Sequence, residues 1–208
     1  PVIEDCAQSI LSMYKNKMSG SWGDVGCFSA HPLKNLNAMG DGGFLTTNNK
    51  FIYSKIKNLR THGMDESRDN VKNFGYVSRM DSLQAAILNF RLLNLKKIIN
   101  KRRKNVESYL KYLNLKKIYF PLEKLYEYNT YHTFVIQVDR RDELKNFLKK
   151  RGIDTTIHYP VPIHLQTASK YLGYKKGSFP ETENQAKKIL TLPIHQYLEQ
   201  KDILRISK

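Results

Sequence analysis

Short apolar, β-branched runs closed by Gly or Asp alternate along this chain with stretches of helical period, and that alternation confines it to the α/β class. Residues 2–4, 25–28 and 44–47 read as buried strands, each bounded by a turn signal. Between 49 and 62 the apolar positions Phe51, Ile52, Ile56 and Leu59 keep near-helical spacing, and His62-Gly63 supplies a stop. Met80, Leu83, Ile87, Phe90 and Leu93 begin a long helical stretch towards residue 113, with Asp81 favourable for its dipole and a break expected near Asn100. Further on, 133–138 has strand character. Residues 141–151 form a helix that turns Leu144, Phe147 and Leu148 inward before Gly152, and 153–157 is strand again. Short helices around 182–190 and after Glu199 complete a small βαβ-like unit. The expected organisation is an α/β portion over residues 1–80, then a long connecting helix and a small α/β domain over 81–208.

The 208 residues carry 35 Lys and Arg against 19 Asp and Glu, a formal charge of +16. Runs such as 96–105 read as solvated helix faces. No RNP motif, zinc-finger spacing or helix-turn-helix would place side chains in a groove, so specific nucleic-acid binding is not expected. A small anionic substrate such as a nucleotide is the better use of that field. No apolar run is long enough to span a membrane, and the first residues lack the layout of a signal peptide, which points to a cytoplasmic protein without a membrane partner. Cys6 and Cys27 are too few for a disulfide framework or a four-ligand zinc site; no metal is expected, and a reducing compartment suits both thiols. The chain opens on Pro1 directly into a strand, which reads as a piece of a longer protein.

Asp5 and Gln8 close the first strand, and open α/β sheets bind ligands at the carboxyl ends of their strands. Taken alone, Asp-x-x-Gln also suits a helix N-cap. Lys34 lies in Phe28-Ser29-Ala30-His31-Pro32-Leu33-Lys34-Asn35-Leu36, between a strand and the turn Gly40-Asp41-Gly42-Gly43. Its neighbours disfavour a charged ammonium, and the neutral amine is the form that adds to a carbonyl.

In combination, Glu4-Asp5-Cys6-Ala7-Gln8, Ser29 five positions before Lys34, Lys34-Asn35 and the Gly-rich turn resemble the DegT/DnrJ/StrS family of pyridoxal-phosphate-dependent nucleotide-sugar aminotransferases. The likeness continues through Arg60-Thr61-His62-Gly63, Ser78-Arg79-Met80-Asp81, Leu83-Gln84-Ala85-Ala86-Ile87-Leu88, His158-Tyr159-Pro160, Pro162-Ile163-His164 and Leu190-Thr191-Leu192-Pro193-Ile194-His195. It therefore spans nearly the whole chain. The resemblance implies a fold-type-I α/β transferase, here the C-terminal part of the large domain followed by the small domain. It implies that Lys34 forms the Schiff base with pyridoxal 5'-phosphate and later moves a proton between substrate carbon and cofactor. Asp5 would pair with the pyridinium nitrogen so that the ring accepts carbanion electrons. Gln8 would lie near the ring and its phenolic oxygen, and Ser29 would hydrogen-bond the cofactor phosphate. Arg79, Tyr159 and His164 would belong to substrate-side loops at the interface of a homodimer, with His31 within reach of the sugar. For His158 and His164 the competing reading is an ordinary strand-edge histidine, and for His31 a loop-shaping role.

The implied reaction moves an amino group, from glutamate, onto a keto carbon of a nucleotide-linked deoxysugar, for a surface polysaccharide or a secondary metabolite. The Ser-Ala-His-Pro-Leu-Lys form hints at C3 rather than C4. Relatives of the same fold that dehydrate sugars carry His in place of the lysine, so Lys34 argues for transamination. A non-catalytic scaffold and a basic nucleic-acid-binding module are the other rivals. Two departures stand out: Val77 occupies a position where many members have an Asn that holds the cofactor phosphate of the neighbouring subunit, and the family's N-terminal portion, with its phosphate loop and stacking aromatic ring, is not in this chain.

Overall fold

Strands β1 (Ile3–Asp5), β2 (Met13–Tyr14), β3 (Lys17–Met18), β4 (Val25–Ser29) and β5 (Gly43–Thr46) open the chain in a computed structural model that describes residues 1–71 and 73–208. Helices α1 (Lys50–Leu59), α2 (Ser82–Leu92) and α3 (Leu95–Tyr112) follow, then β6 (Glu127–Tyr128), β7 (Phe134–Gln137), α4 (Arg141–Lys150), α5 (Pro180–Lys188), β8 (Ile189–Leu192) and α6 (Gln200–Ser207). By internal contacts the chain divides into two units, Pro1–Asn100 with Glu123–His132 and Lys101–Leu122 with Thr133–Lys208. This division falls later than the residue-80 boundary expected from the sequence. Its cause is packing: Leu88, Leu95 and Ile99 join Ala30, Leu36 and Ala38 in one buried cluster.

In the first unit β4 is central. β1 runs parallel to it with Asp5 opposite Cys27, and β5 runs antiparallel with Ser29 opposite Gly43. A second small sheet pairs β2 with β3 and with β6, which brings residues 123–132 back to the N-terminal part of the chain. The carboxylate of Glu4 fixes the loop that joins these sheets, accepting backbone N–H groups from Gly20 (2.8 Å), Trp22 (2.6 Å) and Gly23 (2.7 Å). Burial pulls this carboxyl upward, but those three donors and the charge of Lys17 outweigh it and hold it below the ordinary glutamate value of 4.5. Gly20 has φ +82° and passes so close to β4 that a Cβ on Gly26 would collide with its Cα and stand 2.8 Å from its carbonyl oxygen.

In the second unit β7 and β8 pair antiparallel, with Phe134 opposite Leu192. The expected strand over 153–157 is not formed. Only Thr156 makes a bridge, to Thr191 of β8, and its neighbours extend no ladder from it. The helix expected over 182–190 ends at Lys188, where β8 begins. Phe134 is the centre of the core, stacked on Tyr109 (4.8 Å, 15°) and touched by Phe120 (4.6 Å), and Tyr109 donates its hydroxyl to Pro193 O (2.9 Å). The break in the long helix lies at Leu93 and Asn94 rather than near Asn100, where the backbone tightens through Asn94 N–H to Arg91 O (3.1 Å) before α3 restarts. Among the described residues no helix is long and apolar enough to cross a membrane, and no cluster of His, Cys, Asp and Glu could hold a metal ion.

Replacing Gly26 by Ala should destabilise the first unit by about 1–3 kcal/mol, since the clash is with backbone that cannot swing away; a urea titration measures it. A folded-state carboxyl held below its unfolded value stabilises above that value and loses the contribution as pH falls through the folded one. Glu4→Gln should therefore be less stable than wild type above pH 4.5, with the gap shrinking in acid. A gap of constant size in urea titrations down the pH range would refute this account of Glu4.

Candidate active site

Parallel pairing of β1 and β4 brings their carboxyl ends together, Asp5 at one and Ser29 at the other. The ladder continues one step past Asp5, with Cys6 N–H donating to Cys27 O (2.8 Å). Asp5 Oδ1 accepts the N–H of Ala7 (3.0 Å), which turns the chain sharply after the strand, and Oδ2 makes no hydrogen bond with the described residues. Gln8 stands exposed on that turn. Ser29 Oγ accepts a long bond from His31 N–H (3.3 Å), and His31 Nδ1 accepts from Leu33 N–H (3.2 Å), so the imidazole shapes the loop from within. His31 is otherwise exposed.

Lys34 is half-buried, on a loop anchored throughout its length. Its own N–H donates to His31 O (2.8 Å), Ala38 N–H to Ala30 O (2.8 Å) and Ala30 N–H to Gly42 O (2.8 Å). Side chains add further anchors. Asn35 Nδ2 donates to Thr130 O (2.9 Å) and Asn37 Nδ2 to Pro32 O (2.7 Å). From α2, Gln84 Oε1 accepts Met39 N–H (2.8 Å) and Arg91 Nη1 donates to Asn37 O (2.7 Å). Gln84 and Arg91 are seven residues apart, two turns on one helix face, and their spacing was the only trace of this role in the sequence. Thr130, 95 residues from Asn35, left no such trace.

Arg79 is exposed just before α2. Val77 is exposed and bridges Thr61, while the N–H of Ser78 donates to Arg60 O (3.0 Å) and its carbonyl accepts from Arg60 Nε (3.1 Å), so the backbone of Ser78 is engaged. Within the second unit Tyr159 is exposed, and His158 Nδ1 meets Thr191 Oγ1 at 2.8 Å. His164 is buried, its Nε2 3.0 Å from Glu183 Oε1 and its ring edge-on to Phe179 at 4.8 Å. The bond to His164 holds the Glu183 carboxyl below its ordinary value against the upward pull of burial, helped by the N–H groups of Gly177 and Phe179. Here the imidazole serves the packing of its own loop.

The order of strands, helices and turns defines a class, that of the fold-type-I pyridoxal-phosphate-dependent transferases. The model of the DegT/DnrJ/EryC1/StrS aminotransferase family matches residues 1–208, and the chain belongs to that family. It is 39% identical over 202 residues to a pleiotropic regulatory protein of Geobacillus stearothermophilus, covering 96% of this chain and 54% of the relative. To the dTDP-3-amino-3,4,6-trideoxy-alpha-D-glucose transaminase of Streptomyces venezuelae it is 35% identical over 206 residues, covering 99% and 54%. Among solved structures, S. venezuelae DesV in complex with a ketimine intermediate superposes with a TM-score of 0.93 at 36% identity, over 99% of this chain and 55% of that one. The chain thus spans about half the length of the curated relatives it matches.

Aminotransferases of this family depend on pyridoxal phosphate. The first unit's donor set fits that group. It offers a half-buried amine at Lys34, a carboxylate with an unengaged oxygen at Asp5 and a hydroxyl at Ser29, the last two at adjacent carboxyl ends of parallel strands.

Proposed function

We propose that this chain is the lysine-bearing part of a pyridoxal-phosphate-dependent aminotransferase that moves an amino group, from glutamate, onto the C3 keto carbon of a nucleotide-linked deoxysugar. The observation that carries the reading is the juxtaposition of Asp5 and Ser29 on paired parallel strands with Lys34 on the anchored loop that follows. The C3 assignment is supported by the 3-amino sugar for which the Streptomyces relative is named. When bound, pyridoxal phosphate supplies an electron sink that carries an amino group between donor and acceptor.

The protein's own groups have distinct tasks. The Lys34 amine holds the cofactor carbonyl and then accepts and returns the proton at the reacting carbon, general acid–base work at an amine fixed by its loop. Asp5, through its unengaged Oδ2, would pair with the cofactor's ring nitrogen and keep that nitrogen protonated. Ser29 Oγ would donate to the cofactor phosphate, and Gln8 would lie beside the ring. His31, Arg79 and Tyr159 belong to the substrate side, while His164 shapes its loop through Glu183. Lys34, standing where sugar dehydratases of this fold have His, favours amination over dehydration. We place the enzyme in the cytoplasm as a homodimer with shared active sites, a setting that suits the free thiols of Cys6 and Cys27.

In the full-length protein, Lys34→Ala should lower turnover by about 10²–10⁴-fold and abolish the cofactor adduct that borohydride fixes at residue 34, as read by peptide mass mapping. Normal turnover in that variant would end the assignment. Asp5→Asn should lower kcat by about 10²-fold or more while cofactor still binds, measured by steady-state kinetics beside equilibrium dialysis of the cofactor.

A further inference from the structure

Asn35 follows Lys34 directly and is 5% exposed. One half of its amide is engaged, Nδ2 donating to the carbonyl of Thr130 at 2.9 Å. The other half, Oδ1, is buried and has no hydrogen-bond partner among the described residues. Exchanging the two amide atoms would set oxygen against oxygen at Thr130, so the carbonyl dictates the orientation. Thr130 is itself fully buried, its hydroxyl 3.1 Å from Ser12 Oγ.

Stability alone does not explain an amide at this position. One buried acceptor is left unmade either way, Oδ1 with the amide and Thr130 O with an apolar side chain of the same size, so the amide brings little net stability. What the amide provides and an apolar group cannot is direction. A single N–H···O bond to the carbonyl of a fully buried residue sets the rotamer of Asn35 and with it the backbone of the residue before it. The bond from Lys34 N–H to His31 O is internal to the loop, and the other side-chain anchors act on different residues: Gln84 on Met39, Arg91 on Asn37 and Ala38, and Asn37 on Pro32. None of them reaches the peptide between Lys34 and Asn35.

We propose that Asn35 is a positioning residue for Lys34, holding the loop against the carbonyl of Thr130 so that the amine stands where the cofactor carbonyl is presented. This rests on the assignment of Lys34 made above.

The test uses the full-length protein with Asn35→Leu and Asn35→Asp. Hydrogen exchange in the cofactor-free form reads the loop directly. The amides of Lys34 and Ala38 should lose protection by about tenfold or more at neutral pH in both variants, while those of β4 and β5 stay unchanged. In parallel, the rate at which added pyridoxal phosphate becomes borohydride-fixable at residue 34 should fall by about 10²-fold, the usual penalty for a misplaced reacting group. Asn35→Asp carries a second signature, because its carboxyl can donate to Thr130 O only when protonated. Its rate relative to wild type at the same pH should therefore recover as pH falls, whereas that of Asn35→Leu should not; if Asn35→Leu fails to fold, this pH profile alone decides. Unchanged exchange and rate with wild-type Lys34 carrying cofactor would overturn the role of Asn35, as would a loss of protection that spreads through β4 and β5. A wild-type protein with no cofactor on Lys34 would remove the aminotransferase reading, and this proposal with it.

Discussion

Three backbone N–H groups converge on the carboxylate of Glu4, and the position of Asp5 follows from that grip. Strand side chains alternate between faces, so clamping Glu4 on one face fixes Asp5 on the other. The clamp also sets Gly20 against Gly26 and so holds the central strand that ends in Ser29. Charge-assisted bonds from three donors are stronger than the neutral ladder bonds of a three-residue strand. A strand as short as β1 has few of the latter, and its precision comes from Glu4, the acid beside Asp5.

The loop that carries Lys34 follows a related logic with different partners. It has no regular structure of its own, yet each stretch of its backbone is tied to a strand, to α2 or to residue 130. Its apolar members Ala30, Leu36 and Ala38 are buried with Leu88, Leu95 and Ile99. A loop built in this way combines irregular geometry with the packing of a core. That combination also explains why α2 and the first turns of α3, to Asn100, count with the first unit.

Much of this was legible in the sequence because it is local. β1, β4 and β5 lie within a residue or two of their expected places, since β-branched runs bounded by Gly and Asp carry their own boundaries. The two-residue strands β2, β3 and β6 were invisible, for two residues have no period. Residues 153–157 read as a strand and are not one, because Thr156 alone pairs with β8 and a single bridge makes no ladder, a tertiary outcome that local pattern does not carry. At the candidate site, Asp5, Gln8 and Lys34 were singled out by residue type and position along a continuous segment, and Ser29 and His31 by the resemblance of that segment to the family. Asn35, Gln84 and Arg91 act through backbone atoms of distant residues, and a backbone carbonyl such as that of Thr130 has no signature in side-chain chemistry.

The bond from Asn35 to Thr130 has a consequence for biosynthesis. The two residues are 95 positions apart, and translation proceeds at roughly 5–20 residues per second, so the lysine loop emerges from the ribosome some ~5–19 s before its anchor exists. During that interval the β1–β4–β5 sheet has all its own strands, whereas the loop after β4 does not have its last tether. The nascent chain therefore acquires these strands first and the final geometry of the Lys34 loop afterwards, when the segment around residue 130 arrives.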